Sequence, residues 1–319
     1  MATQPARAQL SPQGFGERLA SRVAARASQL VLGLDPDPAR LWPRAVELAG
    51  GAGTSPLAPA ARAAVAVTAH CALAIEAAGE QCVAVKLQVA CFERLGAPGW
   101  AALREVAQRA RERGLLVIAD AKRGDVDVTA TAYAQAFLGE TPTIYGPVPG
   151  LGADALTANP LLGGDSLAPL VATARAAGAG LFVLVRTSNS GAADVQGLQC
   201  AGGGSVSERL AAIVAQLGAA GSPGAPLSDV GAVIGATVPD SLSALRQLMP
   251  RAVFLLPGVG AQGGRVQDLA PAFAPGPAGG LVAVSRGIVN AYERTGGDPA
   301  AAARREAAAL RELAWRVAT

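Results

Sequence analysis

The chain of 319 residues has a single histidine, four cysteines, and few aromatics: three Trp, three Tyr and six Phe. The histidine, His70, lies in an alanine-rich helical stretch at 60–78 and reads as structural, so acid or base work falls to lysine, aspartate or glutamate. Cys71, Cys82, Cys91 and Cys200 show no C-x-x-C spacing and read as reduced thiols rather than a disulfide or zinc framework. With no Lys/Arg run, no interleaved aromatic platform and a formal charge of only +3, nucleic acid is excluded as the expected partner. No apolar run approaches the roughly 20 residues of a membrane span free of Gly, Pro or charge, and the first residues lack the continuous apolar core of a signal peptide. The expectation is a cytoplasmic protein with no membrane partner. The run 258–263 has the letters of G-x-G-x-x-G but no helix is read after it, and no P-loop Lys-Ser/Thr occurs, which disfavours a dinucleotide or nucleoside triphosphate; no cofactor motif is visible.

What the chain does have is core material, with 51% hydrophobic residues. Short apolar runs at 30–36, 82–88, 115–120, 155–162, 180–187, 230–237, 253–260 and 281–285 read as strands. Helical spacing recurs around them, at 15–29, 60–78, 98–113, 129–138, 166–177, 205–217 and 240–248. Ser205 and Glu208 form the Ser-x-x-Glu pattern of a capping box. Eight strands alternating with helices predict a single closed (β/α)8 barrel spanning 1–319, its core at about 30–290, with N- and C-terminal helices packed outside. Loop insertions fall near residues 50, 145 and 222, and the polar stretch 188–204 has the length of a lid or binding loop.

In such a barrel the residues after each strand converge on one face. Asp35, Lys86, Asp120, Lys122, Ser188, Gln262 and Arg286 all fall at those strand ends. The densest group follows the third strand, LLVIADAKRGDVDVT at 115–129. Alternation sets Asp120 and Lys122 on one side, with Asp125 in the turn beyond, so that two carboxylates could flank one ammonium. Such a cluster keeps a lysine protonated beside negative charge, which suits a proton donor working next to an anion. Alone, these residues also fit a solvated loop with a surface ion pair, Lys86 a snorkelling strand-end lysine, and Ser188 an ordinary turn serine. A second group combines the glycine-rich 258–264, including Gly263 and Gly264, with Ser285-Arg286-Gly287. Glycines let backbone N–H groups approach a phosphate, the Gln262 amide can donate, and Arg286 can clamp two oxygens. Asn159 and Asp165 are further candidates.

Asp120-x-Lys122-x-x-Asp125 at a strand end resembles the signature of orotidine 5'-phosphate decarboxylase, and DAKRGDV resembles its larger-chain bacterial branch. LGLDP, VKLQ, RTSNSG, LLPGVGAQGG and VSRGI carry the resemblance in order over about 30–290. It implies cofactor-independent decarboxylation of orotidine 5'-phosphate to uridine 5'-phosphate, with no metal, in a homodimer with shared active sites. By resemblance, Lys122 protonates the pyrimidine carbon that loses carbon dioxide, Asp120 lies beside the departing carboxylate, and Lys86 completes the charge network with the ribose. Asp35 is similar to a ribose-binding aspartate, Ser188 to a pyrimidine contact, and Gln262 with Arg286 to a phosphate grip. Asp125 and Thr129 resemble residues that reach the neighbouring subunit's ribose. The D-x-K-x-x-D pattern is shared with magnesium-dependent phosphosugar decarboxylases and aldolases, which stay open as an alternative, as does a non-catalytic phosphate-binding sensor.

Overall fold

A computed structural model describes residues 14–51, 53, 56–221 and 225–319. The amino-terminal stretch, and parts of the loops expected near 50 and 222, lie outside the described residues. Eight parallel strands close into a barrel in chain order: β1 (Leu30–Leu34), β2 (Ala84–Gln88), β3 (Leu116–Arg123), β4 (Ala155–Ala158), β5 (Gly180–Arg186), β6 (Val230–Ile234), β7 (Phe254–Pro257) and β8 (Gly280–Val284). Closure is made by β8 pairing back onto β1, with Leu30 opposite Val282. These strands are buried on both faces, which is why they are continuous apolar runs rather than alternating ones.

The two faces of each strand feed two separate cores. Outward residues such as Val85, Leu87, Val117, Ala119 and Leu256 pack under the surrounding helices, meeting Val67, Cys71 and Ile75 of the helix Pro59–Ala78. Inward residues, among them Val31, Ala84, Ile118, Ala155, Phe182, Val233, Leu255 and Ala283, fill the lumen. The first helix, Phe15–Arg26, belongs to this inner core: Phe15, Leu19 and Val23 close the lower mouth of the barrel rather than lying on its flank. Phe15 meets Phe182 edge-on at 5.8 Å, and a Cβ at Gly180 would sit 2.4 Å from the Phe15 ring. Arg18 fastens the helix by donating to Asp154 (2.6 Å) and the Gly178 carbonyl (2.8 Å). With that end plugged, a ligand must enter at the carboxyl ends of the strands.

Several boundaries differ from the sequence expectation for local reasons. β4 stops at Ala158, because Pro160 cannot continue a ladder. β7 stops at Pro257, because Gly258 turns away at φ +103°. A short helix, Pro43–Leu48, lies in the connection after β1, and the turn-rich stretch near 145 is a hairpin pairing Glu140–Thr141 with Val148–Pro149. The expected lid at 188–204 is structured, with a turn at Ser190–Ala192 and a short helix at Ala193–Gln196. Gln196 holds it to the end of β5: its Oε1 accepts the Thr187 N–H at 2.8 Å. The capping box forms as read, with Glu208 N–H donating to Ser205 and Ser205 N–H donating back to the Glu208 carboxylate.

By length and hydropathy Pro59–Gln81 could cross a membrane, but half of its apolar window is buried and it serves here as a core helix carrying Arg62 and Glu76. The four cysteines are free, and burial pushes the Cys82 thiol up to about 12. His70 is structural: its Nδ1 accepts the Trp42 N–H at 3.1 Å, its ring packs on the Trp42 indole, and burial lowers its pKa to about 4.

Candidate active site

Period-two alternation carries every inward-facing position upward to a top layer, and that layer is divided. On β1 to β4 it is polar: Asp35 just past β1, Lys86 and Gln88 on β2, Asp120 on β3 and Thr157 on β4. On β5 to β8 it is apolar: Leu184, Val233, Leu255 and Ala283. A cavity of about 390 Å³ stands on this layer. One half of its floor is a charge network, and the other offers a flat ring a dry surface.

The network is centred on Asp120, 5% exposed, whose two oxygens accept four hydrogen bonds. Oδ2 takes Lys86 Nζ at 2.6 Å and the Gln88 amide at 3.2 Å. Oδ1 takes Lys122 Nζ at 2.5 Å and the Thr157 hydroxyl at 2.9 Å. Burial alone would raise the Asp120 pKa, but the two ammonium groups outweigh it and hold the carboxyl at about 2. Burial likewise pulls Lys86 down, and the Asp120 and Asp35 carboxylates outweigh it and raise its pKa.

This corrects the pattern expected from the sequence. One carboxylate is flanked by two ammonium groups, and the lysine held between two carboxylates is Lys86, with Asp35 3.7 Å away on its other side. Asp125 instead accepts the N–H of Val126 at 2.8 Å and, like Thr129, lies outside the cavity of its own chain. The reason is a bulge at the end of β3. Ala119 pairs with Leu156 but Arg123 pairs with Ala158, so β3 spends two more residues than β4 between the same ladder positions. Within it Lys122 has φ +49°, which bends the chain so that its side chain returns to Asp120.

Across the cavity, Ser188, Gln262, Ser285 and Arg286 line the wall built by the loops after β5, β7 and β8. Close backbone approach sets them: a Cβ at Gly235 would lie 2.7 Å from Ser188 Cα, and one at Gly33 2.7 Å from Ser285 Cβ. Gly263 and Gly264 have another job than the one expected. Their N–H groups donate inside the turn, to the Gly260 and Gly258 carbonyls at 2.9 and 3.0 Å, and neither glycine lines the cavity, whereas Gln262, Ser285 and Arg286 do. Gln88, Thr157, Thr187 and Asn189 line the cavity although the sequence reading did not select them. The first two were within reach, standing two residues beyond inward positions on β2 and β4. Asn159 and Asp165 are not among the lining residues: the Asn159 side-chain Oδ1 accepts the Leu161 N–H at 3.0 Å.

A closed (β/α)8 barrel with an amide and an arginine on the loops after its seventh and eighth strands, facing a buried lysine on its second and a half-exposed one on its third, has the architecture of an enzyme for a small phosphorylated ligand. Residues 28–305 match the family described as orotidine 5'-phosphate decarboxylase / HUMPS, and the chain belongs to that family. It is similar to the orotidine 5'-phosphate decarboxylase of Deinococcus radiodurans, at 46% identity over 75% of this chain and 81% of that one. The enzyme of the same name from Rhodopirellula baltica is 42% identical over 72% of this chain and 75% of its own length. In structure the chain resembles the decarboxylase of Leishmania donovani, with a TM-score of 0.70 and 32% identity over 96% and 99% of the two chains.

Proposed function

We propose that the cavity holds orotidine 5'-phosphate with its phosphate on Gln262 and Arg286 and its pyrimidine against the apolar floor, and that Lys122 protonates the carbon from which carbon dioxide leaves. The reaction is decarboxylation to uridine 5'-phosphate, in pyrimidine biosynthesis. The observation that carries the assignment of roles is the pair of ammonium groups fixed on Asp120 beside a dry surface. When the carbon–carbon bond breaks, the electron pair stays on the ring carbon, which has no adjoining system to delocalise it. A fixed ammonium stabilises that charge as it develops and then closes a carbon–hydrogen bond. Lys122 ends neutral and recovers its proton from water, which its side chain, 42% exposed, can reach.

The test is consumption of orotidine 5'-phosphate by the folded chain with a chelator present and no added metal. No turnover under those conditions overturns the reading, and magnesium-dependent turnover of a pentulose or hexulose phosphate would favour the phosphosugar alternative. Against that rival, all the acceptor positions of Asp120 are filled by donors from the chain itself, two of them cationic, which makes it a poor cation ligand.

The phosphate contact lies far from the reacting carbon, and its binding energy can drive loop closure. Arg286→Ala is expected to lower kcat/KM about tenfold to a few hundredfold, the equivalent of roughly 1.5 to 3 kcal/mol for one charge-assisted pair. Steady-state kinetics decide it, and a change below about threefold would remove Arg286 from the phosphate site.

The same reading includes a cytoplasmic homodimer. Asp125 and Thr129 stand outside their own cavity, next to Val126 and the 82%-exposed Val128, an apolar rim that a second copy would cover. Mixing inactive Lys122→Ala with inactive Asp125→Ala subunits is expected to restore one working site per heterodimer. If activity stays absent after subunit exchange has been demonstrated, the sites are not shared.

A further inference from the structure

We infer that Thr157 is a positioning residue for the proton donor, one hydroxyl fixing at once the carboxylate that holds Lys122 and the backbone from which Lys122 departs. The inference rests on the reading of Lys122 as the proton donor. Thr157 is 1% exposed, on β4, and alternation turns it into the lumen directly above Ala155.

The bulge creates a problem that Thr157 solves. Between Ala119 and Arg123 the β3–β4 ladder is interrupted, so the Lys122 N–H has no carbonyl opposite it. It donates instead to Thr157 Oγ1 at 2.9 Å. The hydroxyl's own proton goes to Asp120 Oδ1, also at 2.9 Å. A threonine oxygen can donate once and accept twice, so both bonds form together. Their direction is not free: ionised Asp120 can only accept and a backbone N–H can only donate, so the hydroxyl proton must point at the carboxylate. The carboxylate, in turn, accepts the Lys122 ammonium at 2.5 Å on the same Oδ1. Lys122 is thereby held at both ends, its backbone in the left-handed region and its ammonium on Asp120. Without the hydroxyl, a non-glycine residue at φ +49° would retain no hydrogen bond at its N–H to favour that conformation.

Thr157→Val keeps the shape and deletes both bonds, whereas Thr157→Ser keeps both. The expected result is a fall in kcat of about 10- to 100-fold for Thr157→Val with KM changed by less than about threefold, and recovery to within about threefold for Thr157→Ser. A role in packing alone would give the reverse order, because valine preserves the methyl group that serine removes. Hydrogen exchange at the Lys122 amide supplies a readout that needs no turnover. It is expected to speed up in Thr157→Val and to stay slow in Thr157→Ser. If exchange is unchanged in Thr157→Val, or if that variant keeps full kcat in an active enzyme, the inference is wrong. If the unmodified chain leaves orotidine 5'-phosphate untouched while the Lys122 amide is freed by valine, the functional reading falls and the positioning of Lys122 by Thr157 stands.

Discussion

Replacing Lys122 with alanine is expected to lower kcat by at least about 10⁴-fold while leaving the barrel folded. Two effects vanish together. General-acid catalysis is typically worth about 10²- to 10⁴-fold, and a preorganised charge aimed at a developing anion about 10²- to 10³-fold. Both reside in one ammonium, 2.5 Å from Asp120. Stability should change little, since the Lys122 side chain is 42% exposed and Asp120 keeps Lys86, Gln88 and Thr157. Kinetics after a check of folding decide the matter. Activity in Lys122→Ala comparable to that of Arg286→Ala would mean that the proton comes from elsewhere, and the mechanism argued above would go with it.

Asp120→Ala is expected to damage both stability and turnover. Lys86, 7% exposed, would lose its 2.6 Å partner and keep only Asp35 at 3.7 Å. Breaking a buried pair from one side destabilises by about 3 to 5 kcal/mol, and the surviving aspartate sets the expectation at the lower end, about 3 kcal/mol. Turnover should drop on the order of 10³-fold as Lys122 loses its anchor. Denaturant titration and kinetics measure the two losses, and a variant as stable as the parent would show that the network does not support the fold.

The same residue shapes the acid limb of stability. Its folded pKa of about 2 lies below the ordinary 3.8, so its contribution is complete above about pH 4 and is lost as pH falls toward 2. The difference corresponds to roughly 2 kcal/mol. The unmodified chain should lose about that much more than Asp120→Ala over this window. Lys86 works in the other direction. With its folded pKa raised, its contribution is present below the ordinary lysine value and is lost only as alkaline pH rises through the folded value.

How much of this could be read in the chain depends on range. The eight strands are legible because burial on both faces leaves apolar runs such as LVLGL and GLFVLVR, and the barrel follows from their alternation with helices. The strand-end residues are legible for the same reason: a charge directly after an apolar run stands at the rim. The capping box at Ser205 and Glu208 is local chemistry with its partners three residues apart, and it formed as read.

What failed to show involves partners distant in sequence. The sequence named Asp35, Lys86, Asp120 and Lys122, but only the closed barrel decided who pairs with whom. It set β1, β2 and β3 side by side, so that Asp120 collects two lysines and Lys86 two carboxylates. Thr157 and Gln88 carry no charge to mark them, and their roles arise from standing beside Asp120 on the two strands that pair with β3. The bulge at Lys122 is a difference in length between β3 and β4, a property of the pair that neither strand contains. Sequence by itself determined the elements, the rim and the kinds of group available, because helix and strand periodicity, caps and turns act over a few residues. Tertiary structure alone decided the Thr157 bonds that fix the Lys122 backbone and its carboxylate partner, and the division of the floor into charged and dry halves, because each is made by side chains on different strands that only the assembled barrel sets side by side.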